Sequence, residues 1–182
     1  MELTDNELVE LAKKNPDIFG KLVEKYQQPL YRYVRRISYF AEDDARDIVQ
    51  DVFIKIYLSL NIFDADFKFS TWAYQITRNA TIDAIRKKQS RPQTLCLEET
   101  DVARIMRADD DIQISLETQD DMEKMKKIID ELPYKYREVI ILRFLEDKDY
   151  EEIMDIIKKP KGTVAALLNR GKKMIKDKFI LN

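Results

Sequence analysis

Between residues 19 and 37 the large apolar side chains fall at Phe19, Leu22, Val23, Tyr26, Leu30, Tyr33, Val34 and Ile37. Steps of three and four match the turn of an α-helix and collect these groups on one face, which no strand of alternating residues does. A stripe of this length has to be covered by other helices. Ala45, Ile48, Val49, Val52, Phe53 and Ile56 supply a second stripe, and a further helix opens at Ser70 and runs through Trp72, Ile76, Ala80 and Ile85 to Arg86-Lys87-Lys88. With only 3 glycines and 5 prolines in 182 residues, turn formers are too few for a β-sandwich, so the chain reads as all-α.

Capping signals divide the helices. Thr4 with Glu7 forms a capping box for a short first helix, and Asn15-Pro16 caps the long second one. The loop SLNIFDADFKF, before Ser70, is too aromatic to be an inert connector. Near the C-terminus MEKMKKIIDEL ends at Pro133 and YKYREVIILRFL follows. Asp149 and Glu152 then form a second capping box opening DYEEIMDIIK, residues 158–161 make a turn, and Pro160 suits the first position of the last helix. Two short helices joined by a tight turn, the second one basic, suggest a helix-turn-helix.

The net charge of -2 hides an uneven distribution. Residues 1–88 balance 14 basic against 14 acidic side chains, residues 89–121 carry 3 against 9, and residues 122–182 carry 15 against 11. Two small helical domains, 1–88 and 122–182, are therefore expected on either side of a flexible acidic linker, 89–121, without sustained helical period. Leu95, Leu97, Val102, Ile105 and Met106 are large for a solvated tether, so this stretch is expected to order on a partner.

Composition also excludes chemistry. The chain has no histidine and a single cysteine, Cys96, so it lacks the commonest general base, a zinc cluster and an intrachain disulfide. No GxxxxGK or GxGxxG occurs, and acidic pairs such as Asp109-Asp110 fall in the linker. Neither enzymatic activity nor a cofactor is expected. No window is apolar enough to span a bilayer and the first residues are acidic, which reads as a soluble cytoplasmic protein without membrane insertion.

On a helix through residues 163–176, Val164, Leu168, Gly171 and Ile175 gather on one side, flanked by Leu167 and Met174. Ala166, Asn169, Lys173 and Lys176 take the other, with Ala165, Arg170 and Lys172 at its edges. Lys158, Lys159 and Lys161 cluster at the helix start, where positive charge opposes the macrodipole unless a polyanion is bound. Helix N–H groups and lysines together suit phosphate contacts that position a helix in the major groove.

DIVQDVF (47–53), FSTWAYQITRNATIDAIRKK (69–88) and LPYKYREVIILRFLEDKDYEEI (132–153) stand in the order and spacing of a known family. The chain resembles a bacterial extracytoplasmic-function sigma factor, the small type with only the second and fourth sigma regions. The resemblance implies two all-helical domains that bind core RNA polymerase, through its β′ clamp coiled coil and β flap, and direct it to promoter DNA. It also implies an anti-sigma factor as inhibitor. Asp47, Gln50 and Asp51 match the clamp-binding helix. Phe63, Asp66 and Phe67 match the loop that captures a base flipped out of the -10 element, chemistry suited to aromatic rings and polar edges. Arg78, Asn79, Arg86 and Lys87 match the helix that meets the -10 strand, with Asp83 a structural or strand-orienting neighbour and Trp72 a core residue.

Lys158, Lys159, Lys161, Thr163, Ala165, Ala166, Asn169, Arg170 and Lys173 fall on the -35-reading segment. Here the chain departs from its relatives, which commonly carry Gly at the position of Lys158 and a Lys-Ser-Arg-like run at Ala165-Ala166-Leu167. Side-chain readout at -35 is expected to be weak, with small alanines touching thymine methyls and another protein or DNA shape assisting placement. A stand-alone helix-turn-helix regulator and a module docking an acidic partner are the alternative readings. The first predicts tight promoter binding without polymerase, which a net negative protein is poorly suited to provide.

Overall fold

The computed structural model describes residues 3–87, 97–107 and 118–181. Among the described residues there are nine α-helices, two short 3-10 turns and no strand. The chain divides into two units, one built on residues up to 92 and the other on most of residues 93–182.

The first unit contains α1 (Asp5–Ala12), α2 (Phe19–Ile37), α3 (Glu42–Leu58) and α4 (Phe69–Lys87). The Thr4 box forms as expected: Glu7 N–H donates to the Thr4 hydroxyl at 3.3 Å, and the Glu7 carboxylate accepts from Thr4 N–H at 2.7 Å. The Thr4 backbone bond holds the Glu7 carboxyl below its ordinary range. Asn15 does accept from Asp17 N–H at 3.1 Å, but it caps the 3-10 turn Pro16–Ile18, which then runs on into α2. Along α2, Leu22, Tyr26, Leu30, Tyr33, Val34 and Ile37 are buried, and α3 buries Ala45, Val49, Val52, Phe53 and Ile56 while packing against both α2 and α4.

α4 departs from its expected stripe. Trp72, Ile76 and Ala80 are only half-buried and Ile85 is exposed, while Phe69, Ala73, Tyr74, Thr77 and Thr81 take the core. Threonines can enter because the Thr77 and Thr81 hydroxyls donate to the carbonyls of Ala73 and Thr77, each at 2.8 Å, so neither hydroxyl is buried without an acceptor.

The second unit holds α5 (Glu99–Arg107), α6 (Gln119–Asp130), α7 (Tyr134–Phe144), α8 (Tyr150–Ile157) and α9 (Lys161–Leu181). α5 corrects the expectation that residues 89–121 lack helical structure. Leu97, Val102, Ile105 and Met106 are buried and α5 packs on α6 and α7, so these apolar groups find partners within the chain. Arg104 reaches Asp147 at 2.9 Å and Gln119 donates to Glu99 at 2.8 Å. Leu95, Cys96, Lys88 and Asp109-Asp110 lie outside the described residues.

α7 is buried nearly all round, with Val139, Ile140, Ile141 and Leu142 inaccessible. Buried Arg137 donates to the carbonyls of Asp130 and Leu132 at 2.9 and 3.3 Å, closing the end of α6. α9 lies along α7, and Gly171 sets their approach: a Cβ there would stand 3.2 Å from Ile140 Cγ1.

Candidate nucleic-acid and partner interfaces

The helix-turn-helix is assembled from local signals. Glu152 N–H donates to the Asp149 carboxylate at 2.8 Å and Asp149 N–H to the Glu152 carboxylate at 3.1 Å, which starts α8. α8 stops at Lys158, whose φ of 53° and ψ of 52° place it in the left-handed region, and Lys159 N–H turns back to the Met154 carbonyl at 3.2 Å. Pro160 stands one residue before α9 rather than at its first position; its carbonyl accepts from Thr163 and Val164 N–H at 2.9 and 3.1 Å.

α9 then resolves into the two faces read from sequence. Val164, Leu168, Gly171 and Ile175 are buried, Leu167 and Met174 half-buried. Lys158, Lys159, Lys161, Thr163, Ala166, Asn169, Arg170 and Lys173 are exposed and Ala165 is half-buried, so all nine side chains are at least partly accessible. Its cations are not equivalent. Lys161 is paired with Glu151 at 3.0 Å, and the Arg170 guanidinium beside the Tyr136 hydroxyl holds that phenol below its ordinary value. Lys158, Lys159 and Lys173 form no ion pair among the described residues.

In the first unit, Asp47, Gln50 and Asp51 are all exposed on α3. Gln50 also borders a groove of about 640 Å³ between α2 and α3, whose apolar lining includes Phe19, Val23, Phe53, Ile54, Tyr57 and Leu58. Ile54, Tyr57 and Leu58 are 51%, 43% and 75% exposed, too much apolar surface for the outer side of a helix that has no further partner. Sequence reading missed this groove, although Ile54, Tyr57 and Leu58 already recur at three and four beside the core stripe.

The aromatic loop after α3 splits its two phenylalanines. Phe63, grouped with Phe67 for base capture, is instead 6% exposed and packs on Phe69 and Trp72, with ring centroids 5.9 and 5.0 Å away. It pins the loop to the core. Phe67 is 52% exposed, and Asp66 is exposed beside it. Two side chains shape this tip: Asp64 accepts from Asp66 N–H at 3.0 Å, and Asn6 on α1 donates to the carbonyls of Ala65 and Phe67 at 2.8 and 3.3 Å. Asn6 was invisible from sequence because its partner backbone is some sixty residues away. On α4, Asn79, Arg86 and Lys87 are exposed, Arg86 approaches Asp83 at 3.5 Å, and Arg78 is half-buried and already engaged within the protein. Trp72, expected in the core, is half-buried against Phe63 and Phe69. Among the described residues no group of His, Cys, Asp and Glu is arranged to hold a metal ion, and no helix is long and apolar enough to cross a membrane.

Residues 22–91 match the Sigma-70 region 2 family and residues 122–175 match Sigma-70, region 4. The class is that of the sigma-70 transcription initiation factors. Over 98% of both chains the sequence is 32% identical to the ECF RNA polymerase sigma factor SigW of Bacillus subtilis (strain 168). It is 31% identical to the ECF RNA polymerase sigma-E factor of Escherichia coli (strain K12), over 97% of this chain and 95% of that one. Two solved structures share the fold: CnrH in complex with the cytosolic domain of CnrY, with a TM-score of 0.69, 22% identity and 95% of each chain covered, and the sigma factor RpoE in complex with the anti-sigma factor NepR from Bartonella quintana, with a TM-score of 0.67, 20% identity and coverage of 90% of this chain and 98% of that one. The chain belongs to the ECF RNA polymerase sigma factors of the sigma-70 family and directs the polymerase to promoters.

Proposed function

We propose that α3 and its groove bind the β′ clamp of core polymerase, that the Phe67 loop with Asn79, Arg86 and Lys87 of α4 takes the -10 strand, and that α9 docks on the -35 duplex. The observation that carries this reading is the juxtaposition on α3: Gln50, exposed like Asp47 and Asp51 on the same helix, borders an apolar groove with Ile54, Tyr57 and Leu58 uncovered. A helix laid in such a groove buries the apolar side chains and finds polar partners at the rim, the arrangement of a helix-in-groove interface. Phe67 offers a ring face to one unstacked base, and the α4 cations supply phosphate affinity.

At -35 the outward face of α9 carries methyl groups at Ala165 and Ala166, so it reads bases through thymine methyls and relies on lysines, DNA shape or another protein for placement. The partners of CnrH and RpoE support an anti-sigma factor as the inhibitor of this chain too. The test is transcription by purified core polymerase from a genomic fragment library with and without the protein, mapping transcript starts. New starts sharing upstream elements are expected, and Tyr57→Glu with Leu58→Asp should abolish them together with core binding. Unchanged core binding by that variant refutes the groove assignment. Replacing Ala165 with Lys and Leu167 with Arg should strengthen the -35 footprint; no change refutes the weak-readout assignment.

A further inference from the structure

We propose that Glu151 is an intramolecular counterion that holds down the DNA affinity of the helix-turn-helix by occupying Lys161, a device that rests on the reading of α9 as the -35 helix. Lys161 is the first residue of α9 and Glu151 lies in the first turn of α8, ten residues earlier, so the α8–α9 turn itself brings the two together at 3.0 Å. Both side chains are 67% exposed, on the surface that carries Lys158, Lys159 and Thr163, and the carboxylate sits against an ammonium that a backbone phosphate would otherwise take. Helix geometry leaves the first N–H groups of α9, on Lys161 and Gly162, without an intrahelical acceptor, which makes this corner a natural seat for phosphate.

The consequence is thermodynamic. A lysine that neutralises a DNA phosphate normally releases a condensed cation to solution, and that release drives binding. When the phosphate displaces Glu151 instead, the carboxylate stays on the protein and must be resolvated or acquire a cation of its own. Lys161 then contributes little net affinity. The neighbouring carboxylates do not share this role: Asp149 and Glu152 are tied to each other's N–H groups in the capping box, and Glu152 also pairs with Lys148 at 3.5 Å. Glu151 is the acid of that turn whose carboxylate, apart from a bond to its own backbone N–H, is held by Lys161 alone.

The experiment uses the full chain and a fluorescent random-sequence duplex, with dissociation constants measured by anisotropy across a potassium chloride series. Glu151→Gln leaves the Asp149–Glu152 box intact and should tighten binding about threefold at low salt, the scale of an exposed ion pair. It should also steepen the log–log salt slope by about 0.9, one additional phosphate contact. In a Lys161→Gln background the same substitution should change neither quantity. An unchanged affinity and slope for Glu151→Gln overturns the proposal, and so does a gain that persists without Lys161, which would reflect only the lost negative charge. A chain that needs core polymerase to hold duplex is measured as that complex, and if binding there is indifferent to Lys158→Gln with Lys159→Gln, the -35 reading falls and this inference with it. That outcome is recognisable because it involves neither Glu151 nor Lys161.

Discussion

Lys158 keeps a left-handed backbone, φ 53°, at the turn between α8 and α9. A Cβ in that region meets the following carbonyl, and Gly avoids the contact. Lys158→Gly is therefore expected to stabilise the second unit by about 1 kcal/mol while removing one cation from the surface proposed to meet DNA. Urea denaturation and the salt dependence of duplex binding separate the two effects, and a variant no more stable than the parent shows that the lysine is unstrained. Gly171 poses the opposite problem. Its absent side chain lets α9 approach α7, with Ile140 Cγ1 3.2 Å from where a Cβ would stand. Helix propensity favours Ala there by about 1 kcal/mol, which offsets much of the crowding. Gly171→Val adds branching in the same seam and should cost about 2 kcal/mol in a denaturant melt. Sequence alone placed Gly171 on the buried face, since the helical period is a local property. The strain at Lys158 was not legible in the helical period, because a left-handed backbone appears only once the turn between α8 and α9 is formed.

At the scale of elements, the C-terminal end of α9 is joined to the middle and the end of α6. Lys124 Nζ donates to the Phe179 carbonyl at 2.8 Å, and Lys178 pairs with Glu131 at 2.9 Å. The Lys178 bond holds the Glu131 carboxyl below its ordinary value of 4.5. A depressed carboxylate contributes stability that is complete above the unfolded value and is lost as pH falls through the folded one. Glu131→Gln should accordingly lower the denaturation midpoint near neutral pH, and the difference should shrink as pH falls past the unfolded value and vanish below the depressed folded one. A difference that persists in acid would assign the effect to packing. The Phe67 loop depends on α1 in a comparable way: Asn6→Ala removes its two bonds to the loop and should reduce promoter opening more than core binding, measured by permanganate footprinting and pull-down. Capping boxes and stripes made most helices readable beforehand. α5 escaped because four apolar groups stood among acids, and the buried face of α4, though not the helix itself, was misread because threonines took core positions that only hydrogen bonds to the preceding turn make tolerable.

For the whole molecule, the division into two units sets what can be cut. A fragment beginning at residue 93 keeps α5 on α6 and α7, whereas one beginning at 118 loses the burial of Val102, Ile105 and Met106. The longer fragment should have the higher denaturation midpoint, because α5 covers apolar faces of α6 and α7 that the shorter fragment leaves in water. Equal melting of the two would show that α5 adds nothing to the second unit. The border between domain and linker could not be drawn correctly from charge alone, because the acidic stretch contains a segment whose apolar residues serve the second domain. The residues proposed to face the -10 strand and polymerase were picked out by the family resemblance, whereas nothing in the sequence picked out the groove, since it exists only once α2 and α3 are side by side.

Trp72 is the only tryptophan in the chain, and it lies against Phe63, the residue anchoring the loop that exposes Phe67. Its indole is thus a native optical reporter for this one place. Emission wavelength and quenching report the packing around Phe63, so the binding of a single-stranded oligonucleotide at the proposed Phe67 site can be followed by stopped-flow without attaching a dye.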